Sequence, residues 1–79
     1  MERAPRTIMK CVAMEIVLNG EPHQAPEACS ILELLESLSI EPSRVAVELD
    51  GAIVKTAQWA TQKLRPGSQV EVVQFVGGG

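Results

Sequence analysis

The apolar positions between residues 14 and 76 change their period along the chain, and each change marks an element. Met14-Glu15-Ile16-Val17-Leu18 reads as a strand that runs into Asn19-Gly20. Asn-Gly suits a two-residue hairpin turn because both central residues accept positive φ. A return strand is expected from Glu21 to about Gln24, and Pro22, which has no backbone N–H, restricts it to a sheet edge or to a non-donating position. Ile31, Leu34, Leu35 and Leu38 then recur at i, i+3, i+4 and i+7, which predicts a helix with one apolar face and Glu33 and Glu36 turned away from it. Ser30 and Glu33 have the spacing of a capping box at its start, and Pro42 is expected to stop it.

Period-2 alternation returns at Arg44–Leu49, a third strand. Asp50-Gly51 marks a turn and Ala52-Ile53-Val54 a short fourth strand. Residues 55–64 hold no clear period; Trp59 and Leu64 are expected to fold over the core on a turn or a 3₁₀ segment. Arg65-Pro66-Gly67-Ser68 is a tight turn. Gln69 to Val76 is the last strand, with Val70, Val72 and Gln74 on one face and Glu71, Val73 and Phe75 on the other.

One helix cannot cover both faces of a sheet. The order ββαβ(β)β therefore predicts an α+β domain in which the helix crosses one face of a mixed, four- to five-stranded sheet, the β-grasp arrangement. The first and last strands should be parallel neighbours, which makes the C-terminal strand central. Residues 1–13 read as an N-terminal extension expected to be disordered in part, 14–76 as the β-grasp domain, and 77–79 as a flexible glycine tail.

Composition narrows the classes. At 79 residues one domain is expected, near the lower limit for a single core, and 46% apolar residues make that core feasible. No apolar run reaches the roughly 18 residues of a membrane helix, and no signal peptide is apparent, so a cytoplasmic protein is expected. Arg3, Arg6 and Lys10 against Glu2 leave residues 1–13 at +2, while residues 14–79 carry −5. An acidic body argues against nucleic acid, which needs a basic face, and suits a basic protein surface. Cys11 and Cys29 form no CxxC pair and His23 is the one histidine, so no metal site is expected.

The chain closes on Gly77-Gly78-Gly79 directly after a strand. Glycine adds nothing to a core, but a strip of bare backbone can enter a narrow channel and present a carboxylate to another protein's catalyst. Transfer of adenylate from ATP would turn that carboxylate into a mixed anhydride open to a sulfur nucleophile. Such chemistry needs magnesium and phosphate clamps, which this chain does not supply; a partner must. The glycines also suit a frayed end.

Together, "MEIVLNGE" at 14–21, "SILELLESLSI" at 30–40, "VAVELDGAIV" at 45–54, Trp59, and "LRPGSQVEVVQFVGGG" at 64–79 resemble the sulfur carriers of thiamine thiazole synthesis, the ThiS type. The sequence departs from the family pattern at Asp50, Lys55 and Ser68, and Gly77 is an additional glycine. The resemblance implies a ubiquitin-like fold and a role as carrier rather than enzyme. It implies that the Gly79 carboxylate is adenylylated by a ubiquitin-activating-type adenylyltransferase, converted to a thiocarboxylate with sulfur from a donor protein, and used by a thiazole synthase. Gly77 and Gly78 would thread the partner's active site, and Phe75 and Val76 would dock. No bound cofactor is implied, ATP and magnesium belonging to the partner, and the free chain is expected to be a monomer. A molybdopterin-synthase small subunit, a ubiquitin-like modifier and a plain β-grasp binding module share parts of this pattern.

The remaining residues carry less. His23 is read as solvated in a polar turn, and Cys29 as a small half-buried residue rather than a nucleophile at the helix start. Trp59 suits core packing or a partner anchor. Phe75 faces either a docking role or simple packing, depending on which face the helix covers.

Overall fold

The computed structural model describes residues 13–75. β1 (Ala13–Leu18) and β2 (Glu21–Pro26) form an antiparallel hairpin in which Leu18 pairs with Glu21 across Asn19-Gly20. Both turn residues have positive φ, 51° and 84°, as the hairpin geometry demands. β1 begins at Ala13, paired with Pro26, so the regular structure takes in one residue of the expected extension. β2 runs two residues beyond Gln24 and is an edge strand.

The helix α1 (Ile31–Ser37) starts at a complete capping box: the Glu33 amide donates to Ser30 Oγ at 3.1 Å and the Ser30 amide to Glu33 Oε1 at 2.8 Å. Pro42 is not what ends it. Ser39 takes a left-handed φ of 59°, and the amides of Ile40 and Ser39 donate to the carbonyls of Leu35 and Glu36 at 2.9 and 3.1 Å. This is a Schellman closure with serine where glycine is usual. Pro42 instead opens a 3₁₀ turn, Pro42–Arg44, which takes Arg44 out of the following strand.

β3 (Val45–Leu49) and β4 (Ala52–Val54) form a second hairpin, across Asp50-Gly51 at φ 52° and 89°. The segment after it makes a 3₁₀ turn at Thr56–Gln58 and brings Trp59 and Leu64 into the core at 2% exposure each. This segment also serves the helix. The amides of Ile31 and Leu32, which have no partner inside a helix, donate to the carbonyls of Gln62 and Trp59, both at 3.0 Å. Pro66-Gly67 forms the last turn, closed by the Ser68 amide on the Arg65 carbonyl and by the Arg65 amide on Ser68 Oγ, each at 2.9 Å.

β5 (Gln69–Gln74) completes a five-stranded mixed sheet of order β2-β1-β5-β3-β4. It is parallel to β1 and antiparallel to β3, as expected for a central last strand. Period 2 then sorts its faces. Ile16, Val47 and Val70 meet Ile31, Leu34 and Leu35 of the helix in the buried cluster. Burying such side chains contributes about 1.5–3 kcal/mol each against exposure. Trp59 belongs to this core, with its indole N–H donating to the Val54 carbonyl at 2.9 Å.

Candidate functional site

The β5 strand leads toward Gly79, so its surroundings define the candidate site. Its first half is held on both sides. Val17 and Leu18 of β1 pair with Gln69 and Val70, and residues of β3 pair from Val70 to Gln74. Two side chains add to this. The Gln69 amide donates to Asp50 Oδ1 at 2.9 Å, and the Val72 amide to Asn19 Oδ1 at 2.8 Å. The first residue of each hairpin turn thus does a second job, fixing a backbone amide of β5. The sequence marks both as turn formers; it carries no local sign of bonds spanning 19 and 53 residues.

The second half of the strand carries the exposed apolar residues. Phe75 is 60% and Val73 53% exposed, both on the face away from the helix, so the helix does cover the Val70 face. Ile53 on β4, at 73%, lies on the same outer face. Val73 stands opposite Ala46, and the Phe75 amide donates to the Arg44 carbonyl at 2.9 Å. With Pro42, Ala46 and Lys55, Phe75 and Ile53 line a shallow groove between the 3₁₀ turn and β4. Val73, which the alternation had put on this face without singling it out, and Ile53, which it had assigned to no face, join Phe75 as candidates.

Electrostatics adds to this surface. Glu48 and Glu71 stand directly opposite each other in the β3–β5 pairing, on the same outer face. Two like charges in that position destabilise a sheet pair. The fold gains nothing from the arrangement, whereas a basic partner would relieve it.

Val76, Gly77, Gly78 and Gly79 lie outside the described residues, as does Cys11. His23 is not in a turn: it is half-buried in β2, opposite Ile16. Cys29 is buried at 5% rather than half-buried. Burial pushes its thiol above the ordinary value and the Glu33 carboxylate adds to the effect, against smaller opposing contributions from a backbone hydrogen bond and Lys63. A thiol held neutral is a poor nucleophile, so Cys29 belongs to the core. The Glu33 carboxyl is held below its ordinary value, first by the hydrogen bond from the Ser30 amide. Among the described residues, no group of three or more histidine, cysteine or acidic side chains is placed to hold a metal ion, and no helix is long and apolar enough to cross a membrane.

Comparison with known proteins covers this same stretch. The model of the ThiS family matches residues 14–79. A thiazole synthase of Magnetococcus marinus is 42% identical over 66 residues, which are 84% of this chain and 20% of that protein. The chain therefore spans about a fifth of the length of that relative. The sulfur carrier protein ThiS of Escherichia coli is 30% identical over 66 residues, covering 84% of this chain and all 100% of that one. The crystal structure of the thiamine biosynthesis protein ThiS from Geobacter metallireducens superposes with a TM-score of 0.74 at 30% identity, over 84% of this chain and 100% of that one.

Proposed function

The chain belongs to the ThiS family of small sulfur carriers, which are not enzymes, and from that premise we propose that it carries sulfur for thiazole formation in thiamine synthesis as a thiocarboxylate on Gly79. The observation that carries this reading is the family match, which runs through β5 and the three glycines to residue 79.

In the proposed cycle the Gly79 carboxylate attacks the α-phosphorus of ATP and pyrophosphate leaves. Hydrosulfide released by a donor protein then attacks the glycyl carbonyl and AMP leaves, so the glycyl group ends as a thiocarboxylate with sulfur in place of one oxygen. ATP and magnesium are bound by the partner adenylyltransferase, whose charges stabilise the phosphoryl transfer. This chain supplies the reacting carboxyl, a tail of glycines (Gly77 and Gly78) thin enough to thread an enclosed site, and the strand behind it. The cytoplasm, where ATP and reduced thiols coexist, is the compartment that suits this chemistry.

Docking falls to Phe75 and Val76, with Val73 and Ile53 widening the surface. The opposed Glu48 and Glu71 favour a partner whose apolar patch is rimmed with lysine or arginine. A thiazole synthase is the proposed sulfur acceptor. The likeness to part of a longer thiazole synthase chain supports it, since one polypeptide there holds a carrier-like region.

Intact-mass measurement after incubation with ATP, magnesium, the cognate adenylyltransferase and a sulfur donor tests the reading. The chain should gain the mass difference between sulfur and oxygen. Deleting Gly79, or adding residues after it, should abolish the gain without loss of fold. Equal sulfur loading of the shortened chain would refute the assignment.

A further inference from the structure

The two edges of β5 are not equally used. Antiparallel pairing with β3 places residues 69, 71, 73 and 75 so that their backbone groups turn toward β3, as the Phe75 amide on the Arg44 carbonyl and the Asp50 amide on the Gln69 carbonyl show. Residues 70, 72 and 74 therefore turn theirs toward β1. There the ladder stops early. Pairing with β1 ends at Leu18 and Val70, the Val70 carbonyl accepts from the Asn19 amide at 2.8 Å, and the Val72 amide donates to Asn19 Oδ1. Past Asn19, no described residue partners the Val72 carbonyl or the amide and carbonyl of exposed Gln74.

Among the described residues the sheet thus has a notch of open strand edge beside its centre, shortly before the glycines in sequence. Its outer edges differ. β2 carries Pro22 and Pro26, which cannot donate, and β4 is three residues long. Only the β5 notch belongs to the strand that precedes residues 76–79 in sequence, and it is flanked on the outer face by Val73 and Phe75.

We propose that this notch adds a strand from the thiazole synthase, paired to the Val72 carbonyl and to the amide and carbonyl of Gln74. The partner is the one assigned above, so the inference rests on that reading for the identity of the strand. An added strand in this place has alternate side chains beside Val73 and Phe75, which calls for apolar residues there. A lysine or arginine within reach of Glu71 relieves its repulsion from Glu48. A second copy of this chain is a poorer fit, because it would bring the same acidic surface. Main-chain pairing at Gln74 also sets the direction in which the tail leaves the sheet, which side-chain contacts at Phe75 alone do not.

Hydrogen exchange of the full chain, alone and with the cognate thiazole synthase, tests this. The Gln74 amide should exchange quickly in the free chain and slow by about tenfold or more in the complex, while the Phe75 amide is protected in both. Gln74→Pro removes an amide hydrogen that the fold does not use. It should leave the thermal midpoint near that of the parent and weaken synthase binding by about tenfold, whereas Gln74→Ala should change neither. A complex in which Gln74 exchanges freely overturns the inference and leaves the sulfur-carrier reading standing. Protection at Gln74 with no sulfur loading does the reverse. Protection in the free chain that rises with concentration assigns the edge to a second copy, and protection independent of concentration assigns it to another segment of this chain; either overturns the proposal. Absence of any complex overturns both the strand and the synthase assignment.

Discussion

The two halves of β5 share a strand and contrast in almost everything else. From Gln69 to Val72 the strand is paired with β1 as far as Val70 and with β3 from Val70 on, two amides are fixed by Asp50 and Asn19, and Val70 is 1% exposed. From Val73 to Phe75, just past the end of β5, the described residues that hold the backbone are those of β3 and the 3₁₀ turn, and the two large outward side chains are more than half exposed. The first half secures the fold. The second gives an apolar, acid-flanked surface whose side chains add little to stability. The difference teaches that a small domain can place rigidity and an exposed apolar surface in consecutive residues, so that whatever grips the second half is referenced to the first.

The contrast can be broken most strongly by moving one charge. Val70→Asp buries a carboxylate without a partner and should cost about 3–5 kcal/mol, enough to unfold much of the population, while Phe75→Asp leaves the urea midpoint nearly unchanged. Equal effects at the two positions would abolish the distinction. Next, Asn19→Ala strips the Val72 amide of its acceptor and leaves alanine at φ 51°, so a loss of about 1–3 kcal/mol is expected in urea unfolding. Asn19→Asp retains the acceptor and should recover most of it. Glu71→Lys sharpens the comparison from the other side. It removes the repulsion across from Glu48 and should stabilise the fold by a few tenths of a kcal/mol to about 1 kcal/mol, yet weaken partner binding in calorimetry.

The smallest expected effects are in pH dependence, and they arise away from β5. Glu33 is depressed in the folded chain, so its contribution is present above the unfolded carboxylate value and is lost as pH falls through the lower folded value. Cys29 is raised, so its contribution is present below the unfolded thiol value and is lost as pH rises through the folded one. Urea midpoints measured in acid and alkali check both signs. Glu33→Gln should flatten the acid limb and Cys29→Ala the alkaline one.

Much of the fold was legible in short windows. Asn19-Gly20 and Asp50-Gly51 named their hairpins because few residues accept positive φ, and Ser30 with Glu33 named the helix start because the capping box is a contact within four residues. The helix end was misplaced because proline is a conspicuous stop and a left-handed serine is not; Ser39 is tolerated there because two carbonyls gain amide partners. The role of residues 59–62 as acceptors for the first helical amides had no local sign at all, since any residue offers a carbonyl. At the candidate site, the alternation put Phe75 on the outer face once the helix was assigned to the Val70 side. The glycine tail rested on resemblance, and the family match extends through it.

By itself the sequence determined the elements and their inward faces, because period, turn chemistry and capping act over a few residues. It also determined family membership, which is carried by the order of those short stretches. Which strand edges remain open, which turn residues reach across to fix β5, and why the last few residues of that strand stay exposed were decided only in the tertiary structure. Those features depend on register between segments up to 53 residues apart, where one unit of slip would exchange the buried face of a strand for the exposed one.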